Sequence, residues 1–273
     1  MKSSVTICLV PEALGGPFVY RDSLPTSVAR AAALGFDAVE VFPPGAEPED
    51  VDRPLLRRLL TDHGMALAAV GTGAGWVRHK LTLTHEDAGV REEARDFVRR
   101  IIDLAGPFHA PAIVGSMQGR HGDGVEKDRA LGYLGEALAE LGEHAKAYGV
   151  PLLFEPLNRY ESNLSNTVED ALKLLTASGA ENVALLADLF HMNIEEVHIA
   201  DGLLSGGPRI GHVHFVDSNR RAAGMGHIDF GPIISALRSI RYKGYLSAEA
   251  LPLPDPEAAA RRTIAAFHSL TTG

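Results

Sequence analysis

The chain has 273 residues, of which 45% are hydrophobic and 22% are charged, and its formal net charge is −9. This length is sufficient for one large core, so we expect a single domain over residues 1–273. An acidic chain is poorly suited to loose binding of nucleic-acid phosphates or of an anionic membrane surface, so neither is an expected partner.

Short apolar runs alternate along the chain with longer helical patterns. Eight runs are strand candidates, at residues 5–10, 37–42, 66–72, 111–116, 150–156, 183–190, 212–217 and 244–250. Helical patterns lie at 24–34, 52–63, 90–104, 128–148, 167–177, 232–240 and 256–270. Most strand candidates are continuous apolar runs, which is typical of parallel strands covered on both faces. The alternation predicts an α/β fold, a closed (β/α)8 TIM barrel. An open doubly wound sheet is the alternative, although no Gly-x-Gly-x-x-Gly motif follows the first strand.

The first strand candidate contains the only cysteine, Cys8. A single cysteine cannot form an internal disulfide, which favours a reducing compartment, and we interpret Cys8 as a small core residue. The N-terminal residues lack the features of a signal peptide, and no run reaches the roughly 18 apolar residues that span a membrane. The expected location is therefore the cytoplasm.

Local signals predict several element ends. Gly35, Gly64 and Gly149 each follow a helical pattern and precede a strand, as helix C-caps do. Asn166 and Glu169 have the spacing of a capping box that opens the helix after the fifth strand. The long connection at residues 71–89 contains the only tryptophan, Trp76, and has no clear helical period. It is either a functional lid or a packed surface excursion.

Four residues with metal-ligand side chains lie near the ends of the last four strand candidates: Glu155, Asp188, His214 and Glu249. Their separations of 33, 26 and 35 residues are close to the length of one strand-plus-helix unit. Because parallel strands of a barrel end at one rim, the four side chains are predicted to converge there. Three carboxylates and one imidazole suit a divalent cation such as Mn²⁺, Co²⁺ or Mg²⁺. Taken singly, each carboxylate has a simpler interpretation as a capping or salt-bridging group, and the histidine as a structural one.

A second set follows the first, in the loops where a barrel binds its substrate. Glu161, His191 and Arg220 lie six, three and six residues after Glu155, Asp188 and His214. Arg120 ends GSMQGR after the fourth strand and is a candidate for binding a carboxylate or phosphate, with a rim salt bridge as the alternative. Lys80 and His85 are weaker candidates of the same kind.

The segments FEPLNRYE, ADLFHMNIEE, HVHFVDSNR and SAEALPLP, in this order, resemble the motifs of ketose 3-epimerases in the xylose-isomerase-like TIM-barrel superfamily. The resemblance is strong over residues 150–254. GTG at 71–73, LTLTH at 81–85, GSMQGR and DSNRRAAGMGHIDF look closer to a branch linked to 5-keto-gluconate, a keto sugar acid.

The resemblance implies roles for particular residues. The family's metal ligands match Glu155, Asp188, His214 and Glu249, its metal is usually Mn²⁺ or Co²⁺ and sometimes Mg²⁺, and its substrate-holding residues match Glu161, His191 and Arg220. Glu155 and Glu249 are implied to be the acid/base pair that inverts the carbon beside the substrate carbonyl, through a cis-enediolate. The implied partner is a small sugar or keto sugar acid, and the implied assembly is a homodimer or homotetramer.

Three alternatives remain at this point. An aldose–ketose or hydroxypyruvate isomerase would use the same metal and enediolate but return the proton to the neighbouring carbon. An endonuclease-IV-like DNA repair enzyme would need a histidine-rich three-zinc cluster and a basic face, which the net charge of −9 disfavours. A non-catalytic metal-binding barrel would not need both glutamates together with His191 and Arg220.

Overall fold

The computed structural model describes residues 1–122 and 124–272. Its eight parallel strands form a closed barrel in chain order, with β8 hydrogen-bonded to β1. They are β1 (Lys2–Cys8), β2 (Ala38–Phe42), β3 (Ala66–Gly71), β4 (Ala112–Val114), β5 (Leu152–Phe154), β6 (Val183–Asp188), β7 (Ile210–His214) and β8 (Tyr245–Ala248). The predicted barrel is confirmed, and the open doubly wound sheet is wrong.

Ten α-helices surround the barrel or shape its rim in the described ranges. They are α1 (Leu24–Ala33), α2 (Arg53–His63), α3 (Ala74–His79), α4 (Ala88–Ala105), α5 (Lys127–Ala145), α6 (Val168–Ser178), α7 (Leu189–Glu195), α8 (Ile199–Gly206), α9 (Phe230–Ser239) and α10 (Pro256–Thr271). The seven predicted helices are confirmed with shifts of a few residues at their ends. The short helices α3, α7 and α8 were not predicted.

The predicted strand at 183–190 is wrong in its last two residues, which begin α7. The Oδ1 atom of Asp188 accepts hydrogen bonds from the backbone N–H groups of Phe190 (2.8 Å) and His191 (3.2 Å). These bonds satisfy donors that a new helix leaves free, so the chain turns helical directly after the strand. The apolar run LLADLF does not show this change, because both conformations accommodate it.

The capping box predicted for α6 is also wrong. Thr167 is the N-cap, and its hydroxyl accepts the N–H of Asp170 at 3.1 Å. Asn166 instead donates its side-chain N–H groups to the carbonyls of Leu157 (2.6 Å) and Ser162 (2.9 Å). Because Asn166 braces the preceding loop, the helix starts one residue later. The predicted left-handed cap is confirmed at Gly64, which ends α2 with φ of 64°, and at Gly149, which ends the short 3₁₀ turn after α5 with φ of 69°. Gly35 is also left-handed, with φ of 82°, but it follows the cap residue of α1, Leu34, by one position.

The strands are buried on both faces, as the continuous apolar runs predict. Cys8 is only 2% exposed within this core, which confirms its interpretation as a packing residue. In the part of the chain that the structure describes, no helix has both the length and the apolar character needed to cross a bilayer.

The long connection at 71–89 is a packed excursion that lines the mouth of the barrel. It contains α3 and then runs against the loop after β4, where the N–H of Leu83 donates to the carbonyl of Met117 at 2.8 Å and the hydroxyl of Thr84 donates to the carbonyl of Gln118 at 3.0 Å. Leu83 is fully buried. These contacts hold the segment in place beside the site.

Candidate active site

The C-terminal ends of β5 to β8 bring four ligand-type side chains together. Asp188 ends β6 and His214 ends β7, whereas Glu155 and Glu249 lie one residue beyond β5 and β8. One ligand atom of each lies within 4.8 Å of the others, and all four residues are buried. Spacing along the sequence and the common rim of parallel strands account for this convergence.

His214 lies at the centre of the cluster. Its Nδ1 atom is 2.9 Å from Asp188 Oδ2, 3.3 Å from Glu249 Oε2 and 3.4 Å from Glu155 Oε1. Burial alone would lower the pKa of His214, but the carboxylates around it, Glu249 and Glu40 foremost, outweigh burial and hold that pKa well above its usual value. The cluster therefore has a strong local preference for positive charge.

The cluster fits a divalent cation. Burial raises the pKa of Glu155, and its Oε1 atom has no hydrogen-bond partner among the described residues. A buried carboxylate oxygen without a partner is costly, and a cation shared with Asp188, His214 and Glu249 would remove that cost. Gly115 makes room for this carboxylate, since a Cβ atom there would lie 2.5 Å from Glu155 Oε2.

The buried carboxylate of Glu40 contacts His214 on the side of the ring that faces away from the other ligand-type residues. The Oε1 atom of Glu40 is 3.1 Å from His214 Nε2, and its Oε2 atom is 2.7 Å from His212 Nε2. Burial would raise the pKa of Glu40, but the two histidines outweigh it and hold that pKa well below its usual value. Because Glu40 occupies Nε2, the ring presents Nδ1 to the cluster.

Sequence analysis missed Glu40 and His212. A signal was present for each: Glu40 is a charged residue inside the apolar run DAVEVF, and His212 lies two residues before His214, on the same face of β7. Pairing them required knowledge that barrel closure brings β2 and β7, which are separated only by β8 and β1, within reach of each other.

Arg220 joins two of the carboxylates. Its Nη1 atom donates to Asp188 Oδ2 at 2.6 Å, and its Nη2 atom donates to Glu249 Oε2. The backbone of Arg220 is left-handed, with φ of 61°. Two hydrogen bonds hold it: the N–H of Arg220 donates to the carbonyl of Asp217 at 2.9 Å, and the N–H of Leu251 donates to the carbonyl of Arg220 at 2.7 Å. A strained backbone with this support fixes the guanidinium over the cluster.

The loop that carries Arg220 is built around the buried carboxylate of Asp217. This carboxylate accepts the backbone N–H groups of Ser218 (2.8 Å), Gly224 (2.8 Å) and Ile228 (3.1 Å). Burial would raise the pKa of Asp217, but the backbone donors outweigh it and lower that pKa. Gly226 is required here, because a Cβ atom would lie 2.2 Å from Asp217 Oδ1.

His191 and Glu161 meet at Asn158, which sequence analysis also missed. The Nδ1 atom of His191 accepts from the backbone N–H of Asn158 at 3.3 Å and lies 2.7 Å from its side-chain nitrogen. These contacts assign the proton to Nε2, which is 3.8 Å from Glu155 Oε1. Glu161 is exposed, and its Oε1 atom accepts from Asn158 Nδ2 at 3.0 Å. One amide thus orients both candidate substrate-binding residues.

The cluster lies at the base of a cavity of about 940 Å³. Glu155, Glu249, His191, Arg220 and Glu161 all line it, as do Lys80, His85 and Arg120. Arg120 is exposed and donates to the carbonyl of Tyr160 at 3.2 Å. The rim salt bridge considered as its alternative is absent among the residues described by the structure.

A family model for the xylose isomerase-like TIM barrel matches residues 28–270 of this chain. The chain belongs to the xylose isomerase-like TIM barrel family. The resemblance found in the four C-terminal motifs is therefore confirmed over nearly the whole barrel.

Several proteins named as sugar epimerases are similar to this chain. A D-psicose 3-epimerase of Agrobacterium fabrum is 32% identical over 229 residues, which cover 81% of this chain and 77% of that protein. A 3-dehydro-D-guloside 4-epimerase of Escherichia coli is 34% identical over 142 residues, 52% of this chain and 53% of the other. A solved L-ribulose 3-epimerase superposes with a TM-score of 0.81 at 26% identity, covering 98% and 93% of the two chains. This family member is an enzyme of the carbohydrate epimerase and isomerase class.

Proposed function

We propose that this family member inverts the carbon beside the carbonyl of a ketose or keto sugar acid, with Glu155 and Glu249 as the acid/base pair. The observation that carries the proposal is the position of these two carboxylates. They extend from β5 and β8, each within 3.4 Å of the same His214 nitrogen, and both line the cavity. A substrate carbon between them has a carboxylate on either side.

One divalent ion, for which we propose Mn²⁺ before Co²⁺ or Mg²⁺, would be held by Glu155, Asp188, His214 and Glu249. When bound, it supplies Lewis-acid stabilisation of negative charge at the substrate carbonyl, an effect of several kcal/mol. The donor set of oxygens and one imidazole suits these ions.

The protein's own groups supply the proton transfers. One glutamate removes the proton from the carbon beside the carbonyl, giving an enediolate, and the other glutamate delivers a proton to the opposite face. The Nε2–H of His191 and the guanidinium of Arg220 donate toward the oxygen where charge develops. Glu161 is placed to accept hydrogen bonds from hydroxyl groups farther from the reacting carbon. Arg120 is placed to donate to hydroxyl or carboxylate groups there.

Solvent exchange tests the proposal. Purified protein loaded with Mn²⁺ is incubated in D₂O with D-fructose, a keto-gluconate and hydroxypyruvate, and the products are identified by NMR. We expect deuterium on the carbon beside the carbonyl together with the inverted epimer. An aldose or other carbonyl-shifted product would instead identify the isomerase alternative. No exchange with any compound, in protein shown to be folded and metal-loaded, would contradict the proposal.

Replacing Glu40 by glutamine should weaken binding of Mn²⁺ by about 10- to 100-fold, the effect typical of losing a partner behind a ligand histidine. The glutamine amide cannot accept from both His212 and His214 in the way the carboxylate does, so His214 loses its orientation. Isothermal titration of metal-free protein measures the affinity. Glu47→Gln, at an exposed carboxylate, is the control. An unchanged metal affinity in Glu40→Gln would show that Glu40 has only a packing role.

We also expect a homodimer or homotetramer, which light scattering of the purified protein measures directly.

A further inference from the structure

The cavity is larger than a single sugar requires. Its volume of about 940 Å³ lies near the upper end of the roughly 300–1,000 Å³ that encloses a drug-sized ligand. A hexose has only about twelve non-hydrogen atoms, so one bound at the carboxylates leaves most of this space unfilled. The remaining space lies between residues of the loop after β1, the segment 71–89 and the loops after β4 and β5.

Exposed apolar side chains line this outer part of the cavity. Trp76 is 40% exposed, Tyr160 is 76% exposed and Leu14 is 83% exposed, and all three are cavity-lining residues. Large apolar side chains gathered around one opening mark a binding surface more often than chance exposure does. Two of the three are aromatic, so their flat faces can pack on the C–H face of a sugar ring.

The aromatic side chains are attached to supported backbone. Trp76 lies on α3, which packs closely at Gly75, where a Cβ atom would meet Met117 at 2.4 Å. Lys80 caps α3, and its Nζ atom lies 5.0 Å from the Trp76 ring centroid. Tyr160 is tied at both backbone groups, its N–H donating to Asn158 Oδ1 (3.0 Å) and its carbonyl accepting from Arg120 (3.2 Å). Because the supporting backbone is held, little ordering is needed on binding.

Polar groups of both signs lie among these rings. Glu12, Glu86, Lys80 and Arg120 line the same part of the cavity. With Glu161 beside Tyr160, three carboxylates face two cations, so this region has no excess of positive charge and does not favour a phosphate or another multiply charged anion. Aromatic faces with interspersed donors and acceptors, without an excess of positive charge, suit a neutral polyhydroxylated extension of the substrate.

We propose that the outer cavity is a subsite for a second sugar ring or aglycone, and that the preferred substrate is a keto-glycoside. In such a substrate the anomeric carbon is linked to the extension, so the carbonyl lies at another ring carbon. This inference rests on the proposed function: it keeps the inversion by Glu155 and Glu249 and extends the substrate from a free ketose to a glycoside ring that carries the carbonyl. One glutamate takes the proton from the carbon beside the ring carbonyl and the other returns a proton on the opposite face, while the glycosidic bond remains intact. The partial similarity to a 3-dehydro-D-guloside 4-epimerase is consistent with this class.

Three probes separate the subsite from the reaction: D-fructose, methyl 3-keto-β-D-glucopyranoside and 3-keto-cellobiose. Exchange in D₂O gives kcat/KM for each with wild-type protein, Trp76→Ala and Tyr160→Ala. Val197→Ala is the control, because Val197 is 90% exposed and lies outside this cavity. Light scattering gives the oligomeric state of every variant.

We expect kcat/KM for 3-keto-cellobiose to exceed that for the methyl glycoside by at least about tenfold. Trp76→Ala and Tyr160→Ala should lower the disaccharide value by about tenfold through KM and leave the methyl glycoside within about twofold. Val197→Ala should change neither value.

Several results would overturn the subsite. One is an equal kcat/KM for the disaccharide and the methyl glycoside. Another is an equal loss of kcat/KM on both substrates in Trp76→Ala. A third is a change of oligomeric state in the aromatic variants alone, which would assign the aromatic side chains to an interface between copies of the chain. Deuterium exchange with D-fructose but not with either glycoside would also contradict this inference while leaving the proposed function intact. No exchange with any probe would instead mean that the proposed function itself had failed.

Discussion

Replacing Glu249 by glutamine should lower the rate of epimer formation by about 10³-fold, since general acid–base catalysis by a positioned side chain contributes about 10²–10⁴-fold. Glutamine has nearly the same shape and keeps an oxygen toward the metal site, so the main loss is the proton-transferring carboxylate. Arg220 loses the negative charge at Glu249 but keeps its ion pair with Asp188. The measurement is inversion and deuterium incorporation followed separately by NMR.

The two-base arrangement makes a sharper prediction for the same variant. Glu155 remains and can still exchange the proton on its own face, so residual deuterium incorporation should occur in one epimer without conversion to the other. Glu155→Gln should show the opposite preference. Glu257→Gln, which alters a half-buried carboxylate paired with Arg30 and Arg261 outside the cavity, is the control and should retain full activity. Inversion at near wild-type rate in Glu249→Gln would rule out its role as an acid or base.

Asp188→Ala should abolish activity together with metal-dependent thermal stabilisation. Asp188 contributes one oxygen to the ligand cluster, caps α7 and pairs with Arg220. Loss of the cap alone destabilises by about 1 kcal/mol. Removal of one partner from a buried ion pair destabilises by about 3–5 kcal/mol when the other charge is left unpaired. Arg220 keeps Glu249 as a partner, so the loss in Asp188→Ala should lie below that range. The variant should therefore melt at a lower temperature even without metal.

Thermal melts with and without Mn²⁺ separate these contributions. Wild-type protein at 100 times the metal Kd should gain about 2.7 kcal/mol, and Asp188→Ala should gain almost none. Asp255→Ala is a matched control, because Asp255 also caps a helix, accepting the N–H of Ala258 at 2.8 Å, but is exposed and belongs neither to the ligand cluster nor to the residues that line the cavity. Asp255→Ala should lose about 1 kcal/mol of unfolding free energy, the contribution of the cap, and should keep the full stabilisation by Mn²⁺. A normal metal response in Asp188→Ala would remove Asp188 from the ligand set.

Much of this fold was predictable from local patterns. Continuous apolar runs, helical periodicity and terminal glycines are set by neighbouring residues, so they identified the eight strands and seven helices before any contact was known. The positions of Glu155, Asp188, His214 and Glu249 followed by one further step, since parallel strands in a closed barrel share a rim. Their identity as metal ligands stays a prediction.

Errors arose where a hydrogen bond from one side chain to the backbone decides between two local conformations. The run LLADLF continues as apolar sequence past β6, but Asp188 caps a helix there. Asn166 had the composition of an N-cap, but its amide is used by the loop carbonyls of Leu157 and Ser162, which leaves the cap to Thr167. Propensity alone cannot rank two hydrogen-bonding arrangements of similar local energy.

The barrel, its strand order and the rim that carries the candidate site therefore follow from local patterns in the amino-acid sequence. Only the tertiary structure paired Glu40 with His212 and His214, residues 172 and 174 positions away, and placed Asn158 behind His191. It alone placed Trp76 and Tyr160 at one mouth, although they come from loops after different strands. Periodicity reports which face of an element is buried, whereas which side chains meet across the barrel depends on closure and register, which no local pattern encodes.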